Sequence, residues 1–305
     1  MNRTPRVVVI GSLNMDIVVE AERPPQMGET VMGRHVHFIP GGKGANQAVA
    51  SARLGAQTHM IGAVGNDAFG SELLQALRKD GVDTSAVKTL ADVPTGIASI
   101  LLSQRDNQII VVAGANGHCS PEDIDRHEEV IRQADVVLLQ LEIPLETVQH
   151  AAAAAKRFGK TVVLNPAPAR ELPVELLRQV DVIIPNQSEL YLLAEAEADS
   201  DLEAAMKRLL DKGVQTVITT LGSDGAAYLE RGQKLGRVSS HKVNVVDTTG
   251  AGDAFNAGFA YALASGHEVG EAVAFAGKVA ALAVTKLGAQ AGMPTLQEVQ
   301  EFRAQ

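Results

Sequence analysis

Short runs of β-branched and leucine residues alternate along the chain with alanine- and leucine-rich segments of helical period. Such runs predict buried strands, and their alternation with helices predicts a mainly parallel sheet flanked by helices, an α/β fold. The strand predictions are RVVVIG at 6–11, THMIGAVG at 58–65, DVVLLQL at 135–141, TVVLNPA at 161–167, DVIIPN at 181–186 and TVITTLG at 216–222.

Two of the intervening helices carry clear boundary signals. The segment 67–81 opens on Asp67, a residue type that caps helix N-termini, and closes on Gly81. The segment 146–159 places a run of alanines where helix propensity is highest and ends at Gly159.

Segments 12–42 and 95–114 interrupt the alternation because they lack a helical period. The second segment is typical of a hairpin that turns near Asp106 and Asn107. The two segments could pair into a small extra sheet that forms a lid or a dimer contact, and ordinary surface hairpins fit the pattern equally well. The predicted α/β core then comprises 1–11, 43–94 and 115–305.

Polar residues and glycine follow several of the predicted strands, as in Asn165, Asn186, Thr220 and Gly222. In open α/β sheets, ligands bind beyond the carboxyl ends of the strands. These positions therefore predict that the site lies along one rim of the sheet.

The composition limits the partners and the compartment. The 305 residues are 46% hydrophobic, enough for one large domain, and carry a net charge of −9, which disfavours nucleic acid and anionic membrane surfaces. No apolar stretch approaches the roughly 20 residues that span a bilayer. The single cysteine, Cys119, rules out an internal disulfide and fits a reducing compartment. We therefore expect a cytoplasmic protein.

The stretch VVDTTGAGDAFNAGFA at 245–260 predicts a glycine-rich turn that leads into a helix. The backbone N–H groups of Ala251, Gly252 and Asp253 would then point outward and form an anion hole at the positive end of the helix dipole. A carboxylate beside such a hole suits a base that takes a proton from a hydroxyl attacking a phosphoryl group. Alternatively, Asp253 simply stabilises the helix start.

A second glycine-rich stretch, PGGKGANQAVASARLG at 40–55, is not a P-loop because Gly44, rather than Ser or Thr, follows Lys43. Lys43 and Asn46 could instead offer donors to a polyhydroxylated ligand, or the stretch could merely start a helix.

A third stretch, PNQSEL at 185–190, places Asn186 and Glu189 three residues apart at a strand-to-helix junction. The carboxylate could hold Mg²⁺ through water, although such a pair is more often a helix cap.

Together these stretches resemble the ribokinase family of sugar and nucleoside kinases over nearly the whole chain. GGKGANQAVASARLG and DTTGAGDAFNAG are similar to the family's two signature regions, and GSLNMDIV, AGANG, LQLEIP, LNPAPA, TLGSDG and VTKLGAQ add to the resemblance. It implies a Rossmann-like core with a small β-sheet lid that often mediates homodimerisation. It also implies transfer of the γ-phosphoryl group of ATP to the 5-hydroxyl of D-ribose, with Mg²⁺ and K⁺ as cofactors.

The resemblance also implies roles for individual residues. The sugar site is implied at Asn14, Asp16, Gly41, Gly42, Lys43, Asn46, Glu142 and Asp253. Asp253 is implied as the catalytic base, with an anion hole at Gly250, Ala251 and Gly252. Nucleotide contacts are implied at Asn186, Glu189, Thr220, Leu221, Gly222, Ser223, Gly225, Gly252 and Gly277. The monovalent cation site is implied at Asp247, Thr249, Ala283, Lys286, Gly288 and Gly292, with Glu189 acting indirectly on Mg²⁺.

The chain departs from the family pattern at two of these positions. Gly277 stands where relatives often have His or Asn beside adenine, and Gly292 stands where a serine often helps the cation. A deoxyribose, fructose or nucleoside kinase is the nearest alternative, although Asn14 and Asp16 together favour ribose. A non-catalytic sugar or nucleotide sensor is the alternative from another class. A dinucleotide-binding dehydrogenase is disfavoured because no G-x-G-x-x-G follows VVVIG.

Overall fold

The computed structural model describes residues 3–103, 106–197 and 200–303. Its strands are β1 Arg6–Ile10, β2 Asn14–Ala21, β3 Gly33–Gly41, β4 Gln57–Gly65, β5 Asp83–Leu90, β6 Gly96–Ser103, β7 Asp106–Val112, β8 Val136–Leu139, β9 Thr161–Leu164, β10 Val182–Ile183, β11 Thr216–Thr220, β12 Ala226–Glu230 and β13 Gly236–Val238.

The helices follow the same chain order. They are α1 Lys43–Arg53, α2 Ala68–Lys79, α3 Pro121–Arg126, α4 Glu128–Gln133, α5 Leu145–Arg157, α6 Val174–Leu177, α7 Gln187–Leu193, α8 Leu202–Asp211, α9 Ala251–Ala264, α10 Val269–Ala283, α11 Ala289–Gly292 and α12 Leu296–Glu301. Within the described ranges, no helix combines the length and the hydropathy needed to cross a bilayer.

The larger sheet has nine strands in the order β13-β12-β11-β10-β9-β8-β1-β4-β5. Seven neighbouring strands of this sheet run parallel to one another: β11, β10, β9, β8, β1, β4 and β5. Strands β12 and β13 extend one edge of the sheet in antiparallel pairs. The predicted α/β, Rossmann-like fold is therefore confirmed.

The alternation of side chains in β1 explains why the sheet is covered on both sides. Val7 and Val9 pack into the core beneath α1, α9 and α10, while Val8 and Ile10 pack into the core beneath α5 and α8. All four side chains are almost completely buried. A run of consecutive β-branched residues is what a parallel strand buried on both faces requires.

Most of the predicted elements are confirmed, with shorter bounds except for β4, which begins one residue earlier than predicted. Asp67 caps α2, because its Oδ1 accepts a hydrogen bond from the Gly70 N–H at 2.8 Å. The strand predicted at 181–186 is reduced to Val182–Ile183, and Asn186 forms only an isolated bridge with Thr220.

The two irregular segments pair into one small sheet, as the first of the sequence-based alternatives predicts. Its strand order is β3-β2-β6-β7, with β2 and β6 parallel and the outer pairs antiparallel. Asp106 and Asn107, near which the hairpin turn is predicted, already pair within β7. Residues 104–105, which connect the two strands, lie outside the described ranges.

The order in which strands are added to the sheet reverses beside β1, which makes this position a topological switch point. From β1 the chain passes to β4 on one side, and β8 later pairs with the other side of β1. Crevices at such points, beyond the carboxyl ends of the strands, are the usual ligand sites of open α/β sheets. Here the crevice is bounded by the segments that follow β1 and β8.

Helix α1 starts directly over this crevice. A Cβ at Gly44 would lie 2.6 Å from the Ser12 nitrogen, and one at Gly42 would lie 2.6 Å from the Asn14 nitrogen. Gly42 also has a φ of +91°, a conformation that residues with a Cβ rarely adopt. The glycines of this stretch therefore let the α1 N-terminus touch the backbone that follows β1.

Candidate active site

Helix α9 begins at the same rim, immediately after a tight turn. Gly250 closes that turn with a φ of +78°. The Ala251 N–H, expected from the sequence to point outward, instead donates to the Thr248 carbonyl oxygen at 3.2 Å, because the turn folds back on itself. Among the described residues, the N–H groups of Gly252 and Asp253 have no acceptor. Of the three N–H groups expected to point outward, those of Gly252 and Asp253 therefore remain available to an anion.

The Asp253 carboxylate is held by a different helix. Its Oδ2 accepts from Asn46 Nδ2 at 2.9 Å, and its Oδ1 accepts from Gln47 Nε2 at 3.0 Å. Both donors lie on α1. The start of α9 has no side-chain cap, unlike that of α2, where Asp67 bonds to its own first turn. A simple capping role for Asp253 does not match this geometry.

Burial dominates the electrostatics of Asp253. The residue is only 7% exposed, and burial raises the pKa of its carboxyl above the ordinary value, as does the nearby Glu142. The Lys43 charge and the donors of Asn46 and Gln47 act in the opposite direction. A raised pKa brings a carboxylate closer to the basicity that proton transfer requires.

Lys43 supplies positive charge to this cluster. Burial lowers the pKa of its ammonium group, but the net shift is upward because four carboxylates surround it: Asp253, Glu142, Glu189 and Asp16. Lys43 is therefore charged at neutral pH, and the acidic groups outnumber it.

Glu142 lies in the loop after β8 and gathers donors from the opposite side of the crevice. Its Oε2 accepts from the Ser12 hydroxyl, from the Lys43 backbone N–H at 3.3 Å and from Asn14 Nδ2 at 3.5 Å. Asn14 is fixed in turn by Asn116, whose Nδ2 donates to Asn14 Oδ1 at 2.8 Å. These contacts bring three sequence-predicted sugar residues together.

Asp16 lies two residues further along β2 and against Gly41, whose hypothetical Cβ would be 2.4 Å from Asp16 Oδ2. Burial and the charges of Glu142 and Asp253 raise the pKa of Asp16 to about 7, and Lys43 only partly opposes them. The small sheet thus contributes a carboxyl group that titrates near neutrality.

Asn46 has an acceptor that the protein does not use. Its Oδ1 is buried and has no hydrogen-bond partner among the described residues. An unpaired buried acceptor carries a free-energy cost of about 1–3 kcal/mol, which a ligand hydroxyl can remove. The crevice formed by Asn14, Asp16, Asn46, Glu142 and Asp253 therefore fits a polyhydroxylated ligand.

A cavity of about 680 Å³ opens on the other side of the α9 start. Most of its walls are apolar side chains from the 238–248 loop, α9 and α10. Six of the sequence-predicted nucleotide residues line it: Thr220, Gly222, Ser223, Gly225, Gly252 and Gly277. An apolar cavity with a few backbone donors suits a flat base and its phosphates.

Three other predicted nucleotide residues lie at a neighbouring depression or near it. Asn186 and Leu221 line that depression together with Thr220, and Glu189 lies beside it in the first turn of α7. Asn186 and Glu189 form the capping box of α7, in which Glu189 Oε2 accepts from the Asn186 N–H at 2.8 Å and Asn186 Oδ1 accepts from the Glu189 N–H at 2.9 Å. The cap interpretation of this pair is therefore confirmed, and the second Glu189 oxygen remains for other contacts.

The residues implied for a monovalent cation form two adjoining groups. Asp247 Oδ2 accepts from the Gly288 N–H at 2.8 Å, and its Oδ1 accepts from the Thr249 N–H at 2.9 Å. A Cβ at Gly292 would lie 2.7 Å from the Ala283 carbonyl oxygen. The Lys286 side chain points elsewhere and pairs with Glu298 at 2.6 Å, so only its backbone can serve this region.

Several residues that support the site could not be identified from the sequence patterns. Gln47 and Gln140 are fully buried. Gln47 donates a hydrogen bond to the Asp253 carboxylate, and Gln140 donates one to Gln47. Asn116 and Ser12 hold Asn14 and Glu142. The only available signals were a glutamine beside Asn46 and a polar residue at the end of the VVLL strand.

The model for pfkB family carbohydrate kinases matches residues 4–296. This chain belongs to the pfkB family. The predicted resemblance to sugar kinases is therefore confirmed over nearly the whole length, and this pfkB-family protein is a carbohydrate kinase.

Individual relatives agree with the family assignment. The pfkB-family chain is 41% identical over 300 residues to a ribokinase of Haemophilus influenzae, covering 97% of each chain. It is 38% identical over 300 residues to a deoxyribokinase of Salmonella typhi, covering 97% of this chain and 98% of the relative. The structure of Arabidopsis thaliana ribokinase complexed with ribose and ATP superimposes with a TM-score of 0.91 at 36% identity, covering 99% and 100% of the two chains.

The raised pKa of Asp16 predicts that Asp16→Asn stabilises the ligand-free protein at alkaline pH. The unfolded side chain ionises near 3.8, whereas the folded one keeps its proton up to about pH 7. Stability is therefore lost as pH rises from about 4 to 7, and an uncharged asparagine does not suffer this loss. We expect urea denaturation at pH 8 to give a free energy of unfolding about 1–3 kcal/mol higher for the variant, with the difference vanishing near pH 4.

Glu72→Gln is the control, because Glu72 is exposed on α2 and far in sequence from the acidic cluster. This variant should change the free energy of unfolding little at either pH. A stability difference for Asp16→Asn that is equal at pH 4 and pH 8 would contradict the raised pKa.

Proposed function

We propose that this carbohydrate kinase transfers the γ-phosphoryl group of ATP to the 5-hydroxyl of D-ribose, giving D-ribose 5-phosphate. One observation carries the proposal. Asp253 and the free N–H groups at the start of α9 lie between a crevice of polar and acidic side chains and an apolar cavity. A hydroxyl in the crevice and a phosphoryl group at the cavity's end would meet at the carboxylate.

The proposed sugar contacts are Asn14, Asp16, Gly41, Gly42, Lys43, Asn46 and Glu142. Carboxylates accept hydrogen bonds from vicinal hydroxyls, and the Lys43 ammonium and the amides donate to sugar oxygens. Hydrogen bonds to several hydroxyls at once would hold the reacting hydroxyl in line with the phosphorus. The free energy of sugar binding would then contribute to orienting the reacting group. Asp253 would then take the hydroxyl proton as the bond to phosphorus forms.

The proposed nucleotide site is the cavity of about 680 Å³. Its open glycine backbone at Gly222 and Gly252 fits phosphate groups, and the N–H groups of Gly252 and Asp253 would stabilise negative charge on the transferring group. Asn186 and Glu189 would hold Mg²⁺ indirectly, through water, since the carboxylate keeps one oxygen free of the helix cap. When bound with ATP, Mg²⁺ neutralises phosphate charge.

The proposed K⁺ site comprises Asp247, Thr249, Ala283, Lys286, Gly288 and Gly292. Oxygen donors suit such a cation, and the absence of a side chain at Gly292 leaves the Ala283 carbonyl oxygen accessible. The hydrogen bonds from Thr249 and Gly288 lower the pKa of Asp247 in spite of its partial burial, so the group is anionic at neutral pH. The loop it organises leads directly into the Gly250 turn.

The small sheet formed by segments 12–42 and 95–114 is the proposed lid and dimer contact. Strand β7 supports this, because Ile109, Ile110, Val111 and Val112 are each about half exposed or more on an edge strand. Exposed apolar edges favour pairing with another chain. The proposal includes a cytoplasmic location, supported by the single buried cysteine, Cys119.

The sugar substrate is tested with a coupled ADP assay on ribose, 2-deoxyribose, fructose and nucleosides, each with and without K⁺. We expect the highest kcat/KM with ribose and a lower rate when Na⁺ replaces K⁺. A higher kcat/KM for 2-deoxyribose would replace ribokinase by deoxyribokinase activity. ATP consumption that no sugar increases would support a sensor.

The role of Asp253 predicts that Asp253→Asn lowers kcat by roughly 10²-fold or more, because a general base contributes about 10² to 10⁴. The affinity for ribose, measured by calorimetry, should change much less. Asp67→Asn is the matched control, since it changes an aspartate at the start of another helix and should leave kcat unchanged. A near-normal kcat for Asp253→Asn would remove this residue from the role of base.

The dimer contact predicts that Ile110→Lys, at a position 69% exposed on β7, converts a dimer into a monomer. A charge on the apolar strand would be buried without a partner at the interface. Sedimentation velocity should give the mass of two chains for the wild type and of one chain for the variant. Leu192→Lys, which changes an exposed leucine on α7, should remain dimeric. A monomeric wild type would contradict the proposal.

A further inference from the structure

We propose that Gln47 is the residue that positions the Asp253 carboxylate, and that Gln140 orients Gln47 for this task. The inference rests on the proposed role of Asp253 as base and adds two residues to the machinery. Gln47 and Gln140 act through Asp253 and are positioning residues, because both are fully buried and their hydrogen bonds run to other side chains of the protein.

The hydrogen bonds leave Gln47 one amide orientation. Gln140 Nε2 donates to Gln47 Oε1 at 2.6 Å, so the Gln47 oxygen faces Gln140. The Gln47 amino group must then point the other way, where it donates to Asp253 Oδ1 at 3.0 Å and to Asn165 Oδ1 at 3.2 Å. Asn165 is itself held by its Nδ2 donating to the Ile184 carbonyl oxygen at 3.2 Å.

This network joins the reacting group to the rigid part of the fold. Gln140 follows β8, Asn165 follows β9, and Gln47 lies one turn into α1. All three side chains are at most 7% exposed. Side chains fixed by packing and by hydrogen bonds to sheet ends place a carboxylate more accurately than a solvated contact does.

Gln47 differs in this respect from Asn46, the other donor to Asp253. Within the part of the chain that the structure describes, Asn46 Oδ1 has no partner, so it is available to accept a hydrogen bond from a ligand in the crevice. Both functional atoms of Gln47 are committed to the protein. Gln47 therefore holds Asp253 in place in the absence of substrate, whereas Asn46 can contact both Asp253 and the sugar.

Removing the Gln47 donor has a defined electrostatic consequence. The charged groups that face Asp253 are Lys43 at the start of α1, Glu142 after β8 and Asp16 on β2. Lys43 and the two amide donors favour the ionised carboxylate, whereas burial and Glu142 oppose it. Without Gln47 the pKa of Asp253 rises, and more of the enzyme carries a protonated, inactive base at a given acidic pH.

The test variant is Gln47→Met, which preserves length and approximate volume and removes the donor. We expect kcat with ribose to fall by roughly 10- to 100-fold and KM for ribose to change by less than about 3-fold. The acid limb of the kcat profile should move up by roughly half to one pH unit. An unchanged kcat with an unchanged acid limb would overturn the assignment.

Gln140→Met tests whether Gln140 orients Gln47, a relay from Gln140 through Gln47 to Asp253. It leaves the Gln47 donor in place but frees its orientation, so a smaller loss of kcat than in Gln47→Met is expected. The double variant should lose no more than Gln47→Met alone, because Gln140 acts only through Gln47. Losses that multiply in the double variant would show that Gln140 acts independently and would overturn the relay.

Ser51→Ala is the matched control for packing. Ser51 is fully buried on the same helix, and its hydroxyl donates to the Gln47 carbonyl oxygen at 2.8 Å without touching Asp253. It should leave kcat and the pH profile unchanged. A loss and an acid-limb shift as large as those of Gln47→Met would mean that any disturbance of α1 suffices, contrary to the proposal.

A second readout does not depend on the sugar. Carbon-13 NMR titration of labelled aspartate carboxyls, with Asp253→Asn for assignment, should give a higher pKa for Asp253 in Gln47→Met than in the wild type. This measurement tests the assignment even if ribose is not phosphorylated, which the wild-type assay reveals separately. An identical Asp253 titration in the two proteins would overturn it.

Discussion

A buried carboxylate needs hydrogen-bond donors and positive charge close by. At Asp253 this requirement determines how the neighbouring elements of the site pack. The donors come from one neighbouring helix: Asn46, Gln47 and the charge of Lys43 all lie within the first five residues of α1. Helix α1 must therefore abut the start of α9. It does so because Gly42 and Gly44 allow its N-terminus to touch the backbone after β1. The glycines of the first signature stretch therefore serve this contact.

The clustered carboxyl groups of the crevice lower the stability of the ligand-free protein, and this cost points to a functional role. Asp16, Glu142 and Asp253 surround a single ammonium group, so at least one carboxyl favours its proton, and the pKa of Asp16 rises to about 7. Like charges held together in a buried place are a cost that folding alone does not justify. The arrangement makes sense as a surface whose excess acceptors are neutralised by ligand hydroxyls.

Features encoded by local sequence were predictable, and those that join distant segments were not. The buried strands, the Asp67 cap and the Asn186–Glu189 capping box depend on neighbouring residues and appear in the structure. The Gln47–Asp253 hydrogen bond spans 206 residues and the Gln140–Gln47 bond spans 93, so no periodicity reveals them.

Backbone hydrogen bonding sets a further limit on what sequence can reveal. The stretch TTGAG predicts a glycine turn before a helix, but it does not indicate which N–H groups that turn consumes. The structure assigns the Ala251 N–H to the turn and leaves those of Gly252 and Asp253. Residue types alone therefore indicated three outward N–H groups where the structure leaves two.

The position of β2 links sugar recognition to the exclusion of water. A base beside an anion hole activates a water molecule as readily as a sugar hydroxyl, so a kinase must close its site only around the correct acceptor. Asn14 and Asp16 lie on β2, which pairs on both sides within the proposed lid, and Asn14 also reaches Glu142 of the core. A sugar held by these three residues, as proposed, would bridge the two sheets. Binding energy from the sugar's remote hydroxyls would then be available for closing the lid, and water, which makes no such bridge, could not supply it.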